Sequence, residues 1–451
     1  MPPNPRLEPY KRALRRALAG LGVTAPFVSK LQKGIVEVGP AKSDAKYTLL
    51  ALKPERFRKE LDLLAARPEF RVLYLKQKSW HKKMLELYWE TTGVDLAQYN
   101  HAKEGSPTHR ARRKIRVLLR RVLKKLFEQN GVDALLGAAV HYTDCGDFGA
   151  VATEIGRPYI VLHRECFNTS QGQYERVVNL CTMLKRFEGD RIIVYNEVTK
   201  RPMVDSGFAR EDEVAVLGAM RMDAWVKRLT SKEPRSEDQP RRATLFSFVP
   251  CAGLGGICNA FPEGWDKGYI RLFEETHAAF ARAALERPGD RFLIKPKWGG
   301  DWYEHIDRAL AKHGLDRAAI PNLTVDADLD AQDVVMDSDV IVSFGSTLLL
   351  EGGIAGVPVI TPHFAEATAE RYQKYVMLKD ELDLFDVAES GEEVTRLVLD
   401  RMDDPRVDPE VLEKRRQAFE RYLSPLDARA GERYARTIAE RIEAARATRS
   451  A

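Results

Sequence analysis

Short apolar runs alternate with stretches of helical period along most of this 451-residue chain. Strands of this length, alternating with helices, predict parallel β-sheets with helices packed on both faces. The predicted strands in the first half are residues 47–52, 71–75, 134–141, 159–163, 191–195 and 213–217. Those in the second half are residues 244–249, 292–295, 322–325, 340–343, 357–360 and 374–378.

The chain is too long for one compact domain and long enough for two of about 200 residues each. Residues 231–242 are polar, contain two prolines and show no apolar periodicity, which indicates a linker. We therefore predict an N-terminal Rossmann-like acceptor domain at 1–230, the linker at 231–242, a C-terminal Rossmann-like donor domain at 243–408, and helices at 409–451 that cross back to the N-terminal domain. Two doubly wound domains of this kind would face each other across a cleft.

Composition excludes several classes of protein. No apolar stretch reaches the roughly 18 residues of a membrane span, and the N-terminus lacks the apolar core of a secretory signal. The five cysteines form no CxxC pair, and their odd number favours reduced thiols in a cytoplasm. The nine histidines show no HExxH spacing, so no metal is expected.

The net charge of +5 conceals an uneven distribution. Residues 1–130 carry 29 Lys and Arg against 12 Asp and Glu, whereas the remainder carries 42 against 54. Residues 109–125 hold nine Lys and Arg and no acid, with apolar residues spaced as on one helix face. That face could pack on the first sheet while the arginines stay solvated. Alternatively, four arginines could bind anionic lipid or an anionic glycan: Arg112, Arg113, Arg116 and Arg120.

The densest site signal is residues 339–362, where a buried strand runs into Ser343 and is followed by the sequence FGST. Ser346 and Thr347 would stand at a helix N-terminus, where N–H groups and the helix dipole favour an anion, with Gly345 before them. Glu351, one turn later, could accept hydrogen bonds from ribose hydroxyls. The alternative is that the hydroxyls only cap the helix.

The segment SFGSTLLLEGGIAGVPVI resembles the donor-binding segment of GT-B glycosyltransferases, in particular the bacterial surface-carbohydrate group with Kdo, sialic-acid and CDP-glycerol transferases. RFLIKPKW at 291–298, VLGAMRMDAW at 216–225 and LDARAGERYARTI at 426–438 resemble further elements of that group in the same order. The resemblance covers roughly residues 134–440 and implies the GT-B fold. It also implies that the Ser/Thr pair holds donor phosphate and that the glutamate serves the ribose. Lys297, where a histidine is usual, leaves the donor open.

Other residues are candidates for the donor site. Lys295 and Lys297 flank Pro296 at a strand end, where two ammonium groups would suit a nucleotide phosphate; otherwise they are a solvated strand end. The loop after the first strand of the second domain would line the same site in a GT-B protein, through Ser247, Phe248 and Gly253. Its glycines permit close backbone approach, but the full GxGxxG spacing is missing.

Sugar transfer with inversion needs a general base near the acceptor hydroxyl. Two polar clusters follow predicted strands of the first domain and supply four candidates, ranked Glu165, Asp144, His163 and Asp147. Each could instead cap a helix or be solvated in a loop. A retaining enzyme would use one of the carboxylates as nucleophile.

These observations favour a glycosyltransferase of bacterial surface polysaccharide synthesis, acting without a metal or other cofactor. Its partners would be a nucleotide sugar, with a CMP-linked acidic sugar favoured, and a glycan or lipid-linked glycan acceptor, and no nucleic acid is expected. The enzyme would be cytoplasmic and peripheral to the inner membrane. The alternatives are a glycerol- or ribitol-phosphate transferase, a sugar-nucleotide epimerase on the same fold, and a catalytically silent scaffold.

Overall fold

A computed structural model describes residues 13–14, 16–17, 20–76, 87, 99–184, 186–230, 239–255, 261 and 267–450, without the side chains of Thr143 and Asp144. Most of the predicted linker, residues 231–238, lies outside this part of the chain. The described chain forms two α/β units. Unit 1 comprises Met1–Cys166, Val177–Asp223 and Ala428–Ala451, and unit 2 comprises Phe167–Arg176 and Ala224–Asp427.

Unit 1 contains a seven-stranded sheet in the order β1-β3-β2-β4-β5-β6-β7. All neighbours are parallel except β1, which pairs antiparallel with β3. The strands are β1 (Ile35–Glu37), β2 (Tyr47–Ala51), β3 (Phe70–Leu75), β4 (Ala134–Gly137), β5 (Tyr159–Leu162), β6 (Arg191–Val194) and β7 (Val214–Val216).

The helices numbered in the first half of the chain are α1 (Ala25–Gln32), α2 (Arg58–Ala65), α3 (Pro107–Asn130), α4 (Thr143–Glu154), α5 (Gln171–Leu184), α6 (Glu197–Asp205) and α7 (Asp223–Leu229). The boundary between the units falls inside α5, whose first turns belong to unit 2. Another boundary follows the first residue of α7. The chain therefore crosses between the two units several times and not only once at a single linker.

Helix α3 is the basic amphipathic helix expected from the sequence. Ser106 caps its start by accepting a hydrogen bond from the His109 N–H at 3.2 Å, Pro107 occupies the first turn, and Gly131 ends the helix with φ of 64°. The apolar stripe is buried in the protein, at Ile115, Leu118, Leu119, Val122, Leu123 and Leu126.

Unit 2 contains a six-stranded, fully parallel sheet in the order β10-β9-β8-β11-β12-β13. Numbered from its first strand, this is the order 3-2-1-4-5-6 of dinucleotide-binding sheets. The strands are β8 (Arg242–Phe246), β9 (Arg291–Lys295), β10 (Leu323–Val325), β11 (Val340–Ser343), β12 (Val359–Pro362) and β13 (Asp386–Ala388).

The helices of the second half are α8 (Ile270–Glu286), α9 (Asp301–Lys312), α10 (Ala331–Asp337), α11 (Leu348–Ile354), α12 (Glu370–Gln373), α13 (Gly391–Asp403), α14 (Pro409–Tyr422) and α15 (Ala430–Ser450). Helix α14 belongs to unit 2, where the buried Arg415 bonds the carbonyls of Leu384 and Val357. Helix α15 belongs to unit 1 and places Tyr434 and Ile438 in its core.

Two strands were not predicted and one predicted strand is absent. Strands β1 and β13 have only three residues each, too few for a periodic signal. The apolar run at 374–378 is an irregular segment after α12, in which Leu378 has φ of 55°. Its apolar side chains Val376 and Leu378 are buried without joining the sheet.

Candidate functional site

The carboxyl edge of the unit 2 sheet has its switch point between β8 and β11, because the chain proceeds to opposite sides of β8 from there. Open α/β sheets bind ligands in the crevice at such a point. The loops that meet there are residues 247–255 after β8 and residues 344–347 after β11. The predicted donor motif therefore lies where the topology places a ligand site.

Glycine backbone shapes this crevice. Gly253 and Gly345 have φ of 78° and 60°, which L side chains rarely adopt. A Cβ on Gly253 would come within 2.8 Å of the Tyr375 carbonyl oxygen, and one on Gly345 within 3.0 Å of the Ala252 Cβ. The loops after β8 and β11 and the segment at 374–378 thus pack closely enough that side chains are excluded.

The hydroxyl pair before α11 is partly exposed and partly used within the protein. The Thr347 hydroxyl donates to Glu351 at 2.7 Å, and Ser346 Oγ accepts from the Leu348 N–H at 3.3 Å. The buried Glu351 also accepts from Gln332 at 3.1 Å. Capping and ligand binding are compatible here, because a hydroxyl and a carboxylate each offer more than one acceptor site.

Lys295 and Lys297 lie in different environments. Lys295 is buried at the end of β9 and donates to the Ala327 carbonyl at 3.0 Å, and burial lowers its pKa. Lys297 is exposed, with Nζ 5.5 Å from the centre of the Trp298 ring. Only Lys297 is therefore accessible in this conformation.

Three predicted donor neighbours are interior residues. Ser247 bridges a buried chain of hydrogen bonds: its Oγ lies 2.8 Å from His277 Nε2 and accepts from Trp302 Nε1 at 2.9 Å. Phe248 belongs to the hydrophobic core and packs on Phe344. The Ser343 hydroxyl is fully buried. Their burial indicates that they support the loops, and their direct contact with a ligand remains a prediction.

In unit 1 the switch point lies between β2 and β4, and it brings together residues that the sequence did not single out. Lys53 follows β2 with φ of 54° and ψ of 57°, a left-handed conformation that is strained for a non-glycine residue. Its Nζ lies 4.5 Å from the centre of the Tyr142 ring, and the Arg56 guanidinium lies 5.6 Å from the same ring. The strand at 47–52 was predicted from the sequence. Lys53, a cation directly after that strand, was the sequence signal that could have indicated this cluster.

The cluster after β5 divides into buried and exposed residues. His163 is buried, its Nδ1 accepts from the Val140 N–H at 3.3 Å, and burial lowers its pKa to about 3. Burial likewise raises the pKa of the neighbouring Cys166 thiol to about 12. Glu165 is exposed at the same edge. Among the three predicted bases whose side chains the structure describes, Glu165 is the accessible carboxylate.

Asp147 is buried and bound by arginines, which favours a structural role over the predicted catalytic one. Its carboxylate is buried and accepts hydrogen bonds from Arg116 at 2.8 Å, Arg112 at 3.2 Å and Tyr99. Burial and the nearby Asp147 raise the pKa of the Tyr99 hydroxyl. The side chain of Asp144 lies outside the described part of the structure, so its predicted role remains a prediction.

The same ion pairs bear on the predicted membrane contact of α3. Glu188 binds Arg112 at 2.8 Å and Arg116 at 2.6 Å, and Arg120 binds Glu154 at 2.5 Å. Only Arg113 among the four predicted arginines is exposed and forms no ion pair with a described residue. The apolar stripe of α3 is buried, as the alternative interpretation expected, but Arg112 and Arg116 are ion-paired rather than solvated. The contact of these arginines with an anionic lipid or glycan remains a prediction.

Three further observations concern the described residues alone. No helix among them is long and apolar enough to cross a membrane, and no group of three His, Cys, Asp or Glu is arranged to hold a metal ion. Cys145, Cys166 and Cys181 are thiols, but Cys251 is disulfide-bonded. The expectation that all five cysteines are reduced is therefore wrong at Cys251.

No family model and no curated protein matches the sequence. A provisionally named UDP-N-acetylglucosamine 2-epimerase from Listeria monocytogenes has a similar structure, with 15% identity and a TM-score of 0.50 over 88% of this chain and 97% of that one. UDP-GlcNAc 2-epimerase from Neisseria meningitidis, bound to UDP-GlcNAc, gives 13% identity and 0.47 over 87% and 100%. OtsA gives 11% and 0.46 over 87% and 99%.

The similarity to the Listeria protein defines the class of protein by fold. The chain has the GT-B fold, which confirms the predicted fold class of two Rossmann-like parallel-sheet units. The narrower assignment to the surface-carbohydrate group remains a prediction.

Proposed function

We propose that this chain is a nucleotide-sugar enzyme whose unit 2 binds the nucleotide at the switch point between β8 and β11. The observation that carries the proposal is the combination there of the 3-2-1-4-5-6 strand order with two close-packed glycines, Gly253 and Gly345, and the accessible Ser346 and Thr347. Backbone without side chains lets a diphosphate approach closely, and Glu351 lies one turn beyond to accept from the ribose.

Unit 1 would supply the chemistry. Glu165 is the proposed base, since His163 is buried and neutral, and Asp147 is committed to arginines. No step requires a metal ion, because Lys297 and the N–H groups of the crevice can offset the phosphate charge.

Two reactions fit this arrangement. Epimerisation of the sugar of a nucleotide sugar is favoured by the similarly folded Listeria protein, which carries the name of a UDP-N-acetylglucosamine 2-epimerase. Glycosyl transfer, with a CMP-linked acidic sugar as donor, is favoured by the segments at 291–298, 339–362 and 426–438. We put epimerisation first because the structural likeness spans both units, whereas the transferase resemblance rests on short segments.

Experiments on the full chain can distinguish epimerisation from glycosyl transfer. Thermal-shift measurements with UDP, GDP, CDP and CMP should show stabilisation by at least one nucleotide, because a ligand of the native state raises stability by mass action. Stabilisation by none of the four would refute the proposal. An epimerase then converts UDP-N-acetylglucosamine alone into its epimer, visible in the proton NMR spectrum. A transferase leaves the sugar unchanged and releases CMP from CMP-N-acetylneuraminate only when an acceptor glycan is added.

A further inference from the structure

The segment Phe167–Arg176, which we call the strap, lies in the first half of the chain but belongs to unit 2. Its Gly172 N–H donates to the Lys374 carbonyl at 2.6 Å, and Thr169 Oγ1 accepts from the Leu378 N–H at 3.1 Å. Glu175 forms an ion pair with Lys374 at 2.6 Å. The strap is thus fixed to the irregular segment at 374–378 by backbone and side-chain bonds.

Glycine is required where the strap meets that segment. A Cβ on Gly172 would lie 2.2 Å from the Tyr375 ring and 2.9 Å from the Lys374 carbonyl oxygen. Such distances cannot be relieved without moving the backbone, so the contact tolerates no side chain. The strap is therefore in close contact with that segment at Gly172.

The same segment at 374–378 borders the nucleotide crevice. The Tyr375 carbonyl lies against Gly253, and the Met377 sulfur lies 3.8 Å from a Cβ position on Gly345. Gly253 and Gly345 belong to the two loops of the switch point. The strap is thus connected, through one short segment, to both sides of the proposed nucleotide site.

Arg176, the last residue of the strap, reaches the loop after β8 itself. Its Nη1 lies 2.8 Å from the position of a Cβ on Gly255, two residues beyond Gly253. The side chain is exposed, and it forms no ion pair with any residue that the structure describes. Its neighbour Glu175 is already paired with Lys374, so no carboxylate in the described part of the chain pairs with the guanidinium beside the loop after β8.

We propose that Arg176 binds the phosphates of the nucleotide held by unit 2. This rests on the proposed function and adds a phosphate ligand from outside the second half of the chain. A guanidinium matches phosphate oxygens with two parallel hydrogen bonds, and the absence of a side chain on Gly255 lets it lie flat on the loop. The strap's role is to hold that guanidinium where the diphosphate arrives.

The test is calorimetry on the full chain with UDP, uridine and pyrophosphate. Arg176→Met should weaken UDP and pyrophosphate binding about 10- to 100-fold, the range for a charged hydrogen bond, and leave uridine binding unchanged. Gly172→Ala, which displaces the strap and keeps the arginine, should cause a similar loss. Arg201→Met is the matched control, because Arg201 is also exposed and forms no described ion pair.

The outcomes separate the two proposals. If the unaltered protein binds none of UDP, GDP, CDP and CMP, the proposed function and the role of Arg176 both fail. If it binds UDP and Arg176→Met binds UDP equally well, only the role of Arg176 is wrong. An equal loss of uridine and UDP affinity would also overturn it, since a phosphate ligand cannot affect a nucleoside without phosphates. A lower melting temperature with unchanged UDP affinity would show that Arg176 only packs on Gly255.

Discussion

The carboxyl edges of the two sheets carry different kinds of chemical groups. At the switch point of unit 1, charged and titratable side chains meet: Lys53 and Arg56 lie against Tyr142, near the edge that carries Glu165. At the switch point of unit 2, the two loops present mainly glycine backbone and hydroxyls, and Arg176 lies against the end of one loop. Glu351 accepts hydrogen bonds from Thr347 and Gln332 inside the protein.

This difference is consistent with the proposed roles of the two units, in which unit 1 supplies the base and unit 2 binds the nucleotide. Titratable side chains can transfer protons and neutralise charge on a ligand. Glycine backbone lets a ligand approach closely but offers no group that transfers a proton. Five changes would break or sharpen this contrast, and they are ordered from the largest expected effect to the smallest.

Replacing the proposed base of unit 1, Glu165→Gln, should reduce turnover about 10²- to 10⁴-fold, the range for a general base, with nucleotide affinity unchanged. Steady-state rates and calorimetry measure the two effects separately. Glu128→Gln, at an exposed glutamate on α3, serves as the control. A rate close to that of the unaltered protein would mean that unit 1 supplies its base from elsewhere.

Asp147→Ala should destabilise the protein by about 3–5 kcal/mol, because Arg112 and Arg116 would lose their buried partner. Denaturant unfolding measures the loss. Glu154→Gln removes the exposed pair with Arg120 and should cost at most about 1 kcal/mol. If both variants are equally stable, the buried cluster does not stabilise unit 1 as its geometry indicates.

In unit 2, Ser346→Ala combined with Thr347→Ala should weaken nucleotide binding by about 1–3 kcal/mol, since hydrogen bonds to charged phosphate are lost. Binding of the nucleoside without phosphates should not change. Calorimetry with both ligands tests this. Unchanged nucleotide affinity would assign these hydroxyls to capping alone.

Burial lowers the pKa of His163 in unit 1 to about 3 and that of His277 in unit 2 to about 4. Below about pH 6.5 the unfolded chain binds protons that these buried rings do not, so stability falls as the pH falls. Each histidine should contribute a slope of about 1.4 kcal/mol per pH unit down to its folded pKa. The free energy of unfolding of His163→Asn should fall less between pH 7 and pH 4.5 than that of the unaltered protein. His313→Asn, at a partly exposed site, is the control. An equal fall in His163→Asn and the unaltered protein would contradict this prediction.

The smallest effect concerns strain. Lys53→Gly should stabilise the protein by about 1 kcal/mol, because glycine adopts φ of 54° without the cost that a side chain incurs. Lys53→Ala keeps the strain and should give no gain. Thermal unfolding of the pair decides, and equal stability of the two variants would show that the left-handed conformation costs nothing here.

Much of the fold could be predicted because buried parallel strands have a clear signal. The run at 340–343 matches β11 residue for residue, and the runs at 159–163 and 292–295 match β5 and β9 to within one residue. The apolar run at 374–378 was wrongly predicted to be a strand. Val376 and Leu378 are apolar because they are buried in an irregular segment, not because they pair in the sheet.

The sites were predictable to different degrees. The motif before α11 was found because its chemistry is contiguous in sequence. Lys53 and Arg56 were missed because they meet Tyr142 only through the adjacency of β2 and β4, which pair residues more than 80 positions apart. The burial of Asp147 could not be predicted because its partners, Arg112 and Arg116, lie on a helix 35 and 31 residues earlier.

The assignment of α15 to unit 1 has a consequence for synthesis on the ribosome. Domains usually fold in the order in which they are made, N-terminal first. Here unit 2 is complete at Asp427, whereas the core of unit 1 needs Tyr434 and Ile438. Most of unit 1 is therefore translated first, but its core is completed last. Part of its apolar surface stays exposed until α15 has been synthesised.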